Sequence, residues 1–336
     1  MMRRPRRSPG STKLIWHNAE GVKGMKYCIA VDGGGTKTDT VLFDETGHIH
    51  RRYVGPGGNA SDLGVEEAQR RLLECIRQVT DGHTQPVAAL YGGVAGVLPN
   101  GDIYSAPVAD RFPIQHLRFD DDGCNLISGT LGHEDGCGMV CGTGSSLFVR
   151  IQGQPLRHIG GKGYLIDTGG SGFELGQDAL RMALRAVDGR CPPTVLTQLL
   201  EQRLGMPVSD RIIPQVHRGG RPYIASMAPA VFEGRKQGDW ACEEIFRKHA
   251  ALLADLTKAA ARYFEGEFPV VLGGGIAAHF PEYCQEIAHL SHPRARLLLQ
   301  QAPPVYGAAV EVMWDADLPI TASFREKFLA EYAELS

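Results

Sequence analysis

The sequence predicts an α/β fold made of two related halves, and three observations lead to this prediction. Short apolar runs alternate with segments of helical periodicity along most of the chain, which favours mainly parallel sheets. The order apolar run, glycine-rich turn, apolar run occurs twice, at residues 29–43 and 138–149. A further glycine cluster, at residues 273–275, follows the apolar run 269–272. The repeated arrangement, once in each half of the chain, indicates a duplication.

The first glycine-rich turn has the residue types of an anion site. An apolar run ends in Asp32, three glycines and then Thr36, Lys37 and Thr38 follow, and a second apolar run begins. Consecutive glycines have no side chains that would keep an anion away from the backbone N–H groups. The threonines add hydroxyl donors, and Asp32 adds a charge that can hold a divalent cation. The turn therefore predicts a phosphate–metal site, and a glycine-rich hairpin without a ligand is the alternative.

The second turn, Gly142-Thr-Gly-Ser-Ser146, repeats this arrangement between two further apolar runs. One such turn is a weak signal, but two of them suggest a nucleotide held between the two halves. No Gly-x-x-x-x-Gly-Lys-Ser/Thr sequence is present, so a Walker-type loop is excluded. The glycine cluster at 273–275 formally fits a dinucleotide fingerprint, but no acid follows it about 20 residues later to bind a ribose.

Together the three motifs resemble those of the sugar kinase/hsc70/actin superfamily. Within it, the chain looks most like the BadF/BadG/BcrA/BcrD-type ATPase family, which includes N-acetylglucosamine kinases, from about residue 27 to about residue 312. The resemblance implies a duplicated ribonuclease-H-like (actin-like ATPase) fold, with two domains around a nucleotide cleft. It implies that ATP binds there and that Asp32 holds Mg. The residues implied to contact the nucleotide are Gly34, Gly35, Thr36, Lys37, Gly142, Thr143, Gly144, Ser145, Gly273, Gly274 and Gly275.

Three consecutive acids follow a short strand at residues 117–119. Asp120, Asp121 and Asp122 cannot lie in a core unless they are paired, and sites of parallel sheets lie at the carboxyl ends of strands. A solvated acidic turn is the alternative. In the resembled family an Asp at this point, before an apolar helix, is the catalytic base. Aligning Gly129 with the usual helix glycine of the family selects Asp122, with Asp121 as its neighbour and competitor.

The resemblance also implies an acceptor pocket made by two loops. Asn59, in the loop 55–60, matches a residue that meets the sugar, although capping a helix or forming a left-handed turn is an equally weighted alternative. The loop 160–172 usually ends in Gly-Asp-Glu-Gly-Ser-Gly, but here Thr168 and Gly169 replace the two acids and Asp167 lies one position early. This departure predicts a weak or shifted preference among sugars. The residues expected to contact the acceptor are Asn59, Asp122, Gly161, Thr168 and Ser171.

The predicted organisation has three parts. Residues 1–24 are expected to form a flexible tail outside the fold, and residues 25–122 the first ribonuclease-H-like domain. Residues 123–317 are expected to form the second, with a helical insert at about 177–264. A last helix, within about 318–336, is expected to pack on the first domain. Periodicity predicts helices over about 65–79, 177–187, 241–264, 306–314 and 324–332.

The composition argues against a nucleic-acid-binding or a membrane-spanning protein. The 336 residues are 43% hydrophobic, enough for two cores, and the net charge of −3 shows no basic excess of the kind that nucleic-acid binding requires. No apolar run is long enough for a membrane span. Eight scattered cysteines without a Cys-x-x-Cys pair predict reduced core thiols in a cytoplasmic protein.

These observations lead to an expected activity. We expect an ATP-dependent kinase that phosphorylates a small sugar, most plausibly N-acetylglucosamine or a related amino sugar, with a homodimer as an open possibility. Two alternatives remain. One is an ATPase that activates a partner enzyme through an iron–sulfur cluster, for which the cysteines supply no recognisable set. The other is a nucleotide-binding regulatory protein without kinase activity.

Overall fold

The computed structural model describes residues 24–97, 101–167 and 169–335. Apart from Gly24, the expected N-terminal tail therefore lies outside the described residues. The first half forms one five-stranded sheet in the order β3-β2-β1-β4-β5. Strands β1 to β3 are antiparallel, whereas β4 and β5 run parallel to β1. The strands are β1 (Tyr27–Gly33), β2 (Lys37–Asp44), β3 (Ile49–Pro56), β4 (Val87–Val94) and β5 (Ile114–Asp120).

The second half repeats this sheet in the order β8-β7-β6-β9-β10. Again the first three strands are antiparallel and the last two are parallel to β6. The strands are β6 (Gly136–Cys141), β7 (Ser145–Arg150), β8 (Arg157–Ile159), β9 (Phe268–Gly273) and β10 (Ala295–Leu299). The predicted duplicated ribonuclease-H-like fold is confirmed. The expectation of mainly parallel sheets is wrong, because each short glycine-rich turn returns the chain directly and makes its two strands antiparallel.

The helices of the first half pack on its sheet. They are α1 (Ala60–Leu63), α2 (Val65–Thr80) and α3 (Ser105–Ala109). Helix α2 buries Ala68, Leu72, Ile76 and Val79, as its periodicity predicts. Val65 was expected on the same face but is 39% exposed, because it is the first residue of the helix and lies before the stretch that contacts the sheet.

Two helices join the halves. Helix α4 (Gly123–Leu131) follows β5 directly and leads to β6, and α12 (Pro304–Asp315) packs on α4 and also on β1 and β4. The last helix, α13 (Ala322–Glu334), packs on β3. Its Tyr332 hydroxyl donates to the buried carboxylate of Asp39 at 2.6 Å, which also pairs with Arg52 at 2.8 Å. The end of the chain is thus tied to the sheet that carries the first glycine-rich turn.

Five helices lie between β8 and β9: α5 (Gly172–Val187), α6 (Val195–Leu204), α7 (Ile213–Ala225), α8 (Pro229–Lys236) and α9 (Trp240–Ala260). The short α10 (Gly275–His279) and α11 (Pro281–Leu290) follow β9. Helix α5 begins five residues before the predicted start at 177. The reason is a capping box, in which Ser171 and Glu174 satisfy each other's backbone N–H groups. Helix α9 ends at Ala260 rather than at 264, and a 3-10 turn continues it to Tyr263.

The cysteines lie where the sequence predicts them. All eight are unpaired, and seven are buried; Cys191 is partly exposed. Burial raises the pKa of the Cys28 and Cys137 thiols to about 12, which makes them poor nucleophiles. Among the described residues, no helix combines the length and the apolar composition needed to cross a bilayer.

Candidate active site

The first glycine-rich turn, between β1 and β2, rests on the loop that follows β3. The N–H of Gly57 donates to the carbonyl of Thr36 at 3.1 Å, and that of Gly58 donates to the carbonyl of Gly34 at 3.2 Å. A Cβ atom at Gly57 would overlap the carbonyl of Gly35, so only glycine allows this approach. Gly35, Thr36 and Lys37 are exposed on the outer side of the turn. The turn is therefore supported from behind and open in front, as a phosphate site requires.

The second turn, between β6 and β7, lies beside the glycine cluster at 273–275. Gly274 has a φ of +102°, and a Cβ atom there would lie 2.5 Å from the carbonyl oxygen of Cys141. The N–H of Gly172, at the start of α5, donates to the carbonyl of Gly142 at 2.8 Å. These contacts bring together the three segments around Gly142, Gly172 and Gly274. The second turn and the glycine cluster, both implied by the resemblance to contact the nucleotide, are thus neighbours.

Asp32, at the end of β1, is held by a residue of the connecting helix. The buried side-chain amide of Asn125, on α4, donates to the Asp32 carboxylate at 2.7 Å and to the carbonyl of Gly93 at 3.1 Å. Burial raises the pKa of Asp32 to about 6, and the nearby charge of Asp39 adds to this, whereas the bond from Asn125 opposes it. The ionised form of Asp32 is therefore costly, because no cation among the described residues compensates fully for its burial.

The acidic triplet ends β5 and begins α4. Asp120 pairs with Arg118, which also contacts Glu311 of α12. Asp121 is 4% exposed, and its carboxyl shares a hydrogen bond with that of Asp122. The triplet is thus built into the structure and is not a solvated turn.

Asp122 lies directly before the first residue of α4. Burial raises its pKa well above the usual range, and the charges of Asp121 and Asp32 raise it further. The N–H of Asn125, whose side chain holds Asp32, donates to the carbonyl of Asp122 at 3.1 Å, so Asp32 and Asp122 lie near each other. Two of the carboxylates singled out from the sequence are therefore brought together, both from the first half of the chain.

The loop 160–171 lies against the second turn. A Cβ atom at Gly161 would lie 2.7 Å from the carbonyl oxygen of Ser145 and 3.1 Å from Nε2 of His158. Ser171, expected to contact the acceptor, is buried and instead caps α5, with its hydroxyl accepting from the N–H of Glu174. Thr168 lies outside the described residues. The structure thus supports the placement of Gly161 beside the site and assigns Ser171 a capping contact.

Asn59 caps helix α1. Its side-chain oxygen accepts from the N–H of Ser61 at 2.9 Å, and its amide nitrogen donates to Asp62 at 3.1 Å. The capping alternative is therefore what the structure contains. A contact between Asn59 and a sugar stays a prediction, and Asn59 lies close to the turn after β4, since a Cβ atom at Gly96 would be 2.5 Å from its oxygen.

Four residues near these segments were missed by the sequence analysis: Asn125, His158, Glu174 and Arg221. Asn125 carried a usable signal, since it is a polar residue inside the apolar run that forms α4. Glu174 matched the capping-box pattern three residues after Ser171. His158 and Arg221 had no such signal, because only the fold brings them to the second turn.

Comparisons with known proteins agree with this architecture. The profile of the BadF/BadG/BcrA/BcrD ATPase family matches residues 29–311. The chain is 29% identical over 309 residues to the N-acetyl-D-glucosamine kinase of Dictyostelium discoideum, covering 84% of this chain and 96% of that protein. It is 23% identical to the N-acetylmuramic acid/N-acetylglucosamine kinase of Clostridium acetobutylicum, covering 87% and 100%.

Solved structures share the fold of this chain. A Chromobacterium violaceum protein assigned as an N-acetylglucosamine kinase superposes with a TM-score of 0.68 at 25% identity, covering 84% of this chain and 98% of that one. A ROK family glucokinase of Streptomyces griseus, solved with glucose and AMPPNP, shares the fold with a TM-score of 0.55 at 20% identity, covering 87% and 100%. Since the family profile spans most of the sequence, the chain belongs to the BadF/BadG/BcrA/BcrD ATPase family.

Proposed function

We propose that this protein is an ATP-dependent sugar kinase that phosphorylates N-acetylglucosamine or a related amino sugar. The observation that carries the proposal is that Asn125 contacts both Asp32 and Asp122 next to the first of two glycine-rich hairpins that occupy the same place in their sheets. Phosphoryl transfer needs cradles for phosphate, a carboxylate for a metal ion and a carboxylate for the acceptor. The names of the relatives from Dictyostelium discoideum and Clostridium acetobutylicum support the choice of sugar.

In this proposal ATP lies between the two turns. The phosphates meet the backbone N–H groups of Gly34 to Lys37 and of Gly142 to Ser145, with the hydroxyls of Thr36, Thr143 and Ser145 as further donors. The adenosine lies against Gly273, Gly274 and Gly275. The contact between Gly274 and Cys141 supports this arrangement, because it makes the adenosine segment continuous with the second turn.

Asp32 is the proposed ligand of Mg. Its chemistry fits, since hard divalent cations take carboxylate oxygens and Mg keeps several waters and phosphate oxygens in its shell. Its surroundings also fit, because Asp32 and Asp122 place two carboxylates close together whose negative charge a cation would relieve. When bound, Mg neutralises charge on the phosphates. Asn125 holds one oxygen of Asp32 at 2.7 Å and so orients the other.

Asp122 is the proposed general base. Its carboxylate would accept the proton of a sugar hydroxyl as the hydroxyl oxygen attacks the γ-phosphorus and ADP leaves. Asp121 is the competitor, since the two carboxyls share a hydrogen bond. Asp120 is disfavoured because it is paired with Arg118.

The acceptor pocket in this proposal lies between Asn59, Asp122 and the loop from Gly161 to Ser171, with Thr168 in place of the usual acid. The parts 25–122 and 123–317 act as two domains that close over the substrates. Closure would exclude water and favour transfer over hydrolysis. We further propose that the protein is cytoplasmic and can form a homodimer. Its partner is a small sugar, and it binds neither nucleic acid nor a membrane.

The test is a screen of sugars by coupled ADP release, with the product identified by its added phosphoryl mass. The panel contains N-acetylglucosamine, glucosamine, N-acetylmuramic acid, N-acetylmannosamine and glucose. We expect sugar-dependent ADP release with at least one amino sugar, near-complete loss of it in Asp122→Asn, and no change in Glu265→Gln, which removes an exposed acid. ATP binding without phosphorylation of any sugar would contradict the proposal and favour the regulatory alternative.

A further inference from the structure

Helix α7 is kinked at Gly220, directly before Arg221, whose side chain reaches the second glycine-rich turn. Gly220 has a φ of +56° and a ψ of −148°, which is not helical, and the helix resumes at Arg221 with Pro222 after it. Glycine adopts a positive φ at little cost, so the kink is built at this position. Arg221 is therefore the first residue of the second helical segment of α7.

The side chain of Arg221 lies against three segments that the proposed kinase reaction uses. Its Nη2 atom lies 2.9 Å from the position of a Cβ at Gly144, in the second phosphate turn. Its guanidinium carbon lies 4.9 Å from the ring centre of Tyr164, in the acceptor loop. Its Nη1 atom lies 3.5 Å from a carboxylate oxygen of Asp62, three residues after Asn59.

The guanidinium of Arg221 donates few hydrogen bonds within the described part of the chain. Its Nε–H is buried and has no acceptor within the described part of the chain. The Asp62 contact is long for a hydrogen bond between charged groups and involves a carboxylate that is 43% exposed. A buried N–H without a partner is costly, and a guanidinium presents a planar fork that matches phosphate oxygens. The Arg221 guanidinium therefore has a donor to offer an anion that binds between Gly144 and Tyr164.

We propose that Arg221 binds the terminal phosphoryl group of the nucleotide and stabilises its charge during transfer. This inference rests on the proposed kinase function and adds a catalytic residue to it. As the sugar oxygen bonds to phosphorus and the bond to the ADP oxygen breaks, the N–H groups of Arg221 donate to the equatorial phosphoryl oxygens. Arg221 transfers no proton; the hydroxyl proton goes to Asp122. Without nucleotide, Asp62 holds the guanidinium nearby.

A binding experiment tests this inference independently of sugar turnover. Isothermal calorimetry compares Mg-ADP with Mg-ADP plus beryllium fluoride, which mimics the terminal phosphoryl group, in the wild type and in Arg221→Ala. We expect the wild type to bind the fluoride complex at least tenfold more tightly than Mg-ADP, and Arg221→Ala to lose this preference while its affinity for Mg-ADP changes less than threefold. Arg218→Ala, an exposed arginine on the same helix, should behave as the wild type.

Single-turnover kinetics with the preferred sugar give the second readout. Arg221→Ala should lower the rate of transfer at least 100-fold with little change in sugar KM, and Arg221→Lys, which keeps the charge but not the fork, should be intermediate. An unchanged fluoride preference in Arg221→Ala, no such preference in the wild type, or a loss confined to sugar KM would each overturn the inference. The last result would assign Arg221 to the acceptor. A wild type that transfers no phosphoryl group to any sugar contradicts the proposed function, whereas the fluoride comparison still decides the role of Arg221.

Discussion

Replacing Asp32 by asparagine should stabilise the free protein at neutral and higher pH. The pKa of Asp32 is raised from an ordinary 3.8 to about 6, mainly by burial. Because the folded pKa lies above the unfolded one, the native state binds more protons between these values, and stability falls as the pH rises through this window. Above pH 6 the full cost of the buried charge is present, and below pH 4 it is absent.

The size of the effect follows from the shift. About two pKa units at 1.36 kcal/mol each correspond to about 3 kcal/mol, which is an upper limit because Asp32 keeps partial contact with solvent. Asparagine retains one oxygen for the amide of Asn125, so that bond is weakened but not lost. We therefore expect Asp32→Asn to raise the free energy of unfolding by about 1–3 kcal/mol at pH 8 and by little at pH 4.

Urea denaturation in the presence of a chelator, at pH 8 and pH 4, measures this difference. Asp44→Asn is the matched control, because Asp44 is also buried but its bonds to Thr46 and His50 lower its pKa, so its loss should destabilise the protein at pH 8. Calorimetry then tests the metal role: Asp32→Asn should weaken Mg-ATP binding far more than metal-free ATP binding. Destabilisation by Asp32→Asn at pH 8, or an equal loss for both ligands, would refute the reasoning.

Three further predictions concern the reaction. Asp122→Asn should lower turnover roughly 10²–10⁴-fold with ATP affinity nearly intact; if only Asp121→Asn has this effect in steady-state assays, Asp121 is the base. Thr168→Asp should improve the use of N-acetylglucosamine, since a charged hydrogen bond contributes roughly 1.5–3 kcal/mol; an unchanged kcat/KM would place the acceptor elsewhere. Small-angle scattering should give a smaller radius of gyration with an ATP analogue plus sugar than without ligands, and identical profiles would exclude closure.

The features that could be predicted from sequence are those with a local signal. A glycine-rich turn between two apolar runs specifies a hairpin within about fifteen residues, so both hairpins and the duplication could be predicted from the sequence. The acidic triplet was likewise visible as charge at a strand end. The start of α5 was misplaced for a local reason too, because the capping box of Ser171 and Glu174 lies inside a run that is rich in glycine.

The features that could not be predicted depend on contacts between distant segments. Asn125 meets Asp32 across 93 positions, and Arg221 meets Asp62 across 159. No periodicity or turn signal encodes such pairs, because they arise only after α4 has been packed between the two sheets and α7 beside the second turn. The side chains that orient Asp32 and that lie beside the second turn were therefore missed, whereas the glycine-rich turns themselves were not.

In the acceptor loop, the sequence and the structure each give information about the residue Gly169. The resembled family carries acids at the positions of Thr168 and Gly169, and the change at Thr168 predicts a missing contact to the sugar. In the structure a Cβ atom at Gly169 would overlap the hydroxyl of Ser145, a proposed phosphate donor, and the N–H of Gly169 donates to the buried carboxylate of Glu174 at 2.9 Å. A side chain at this position would require the Ser145 hydroxyl to move. An acid restored at Gly169 would therefore shift a proposed phosphate donor, whereas Thr168→Asp tests the sugar contact directly.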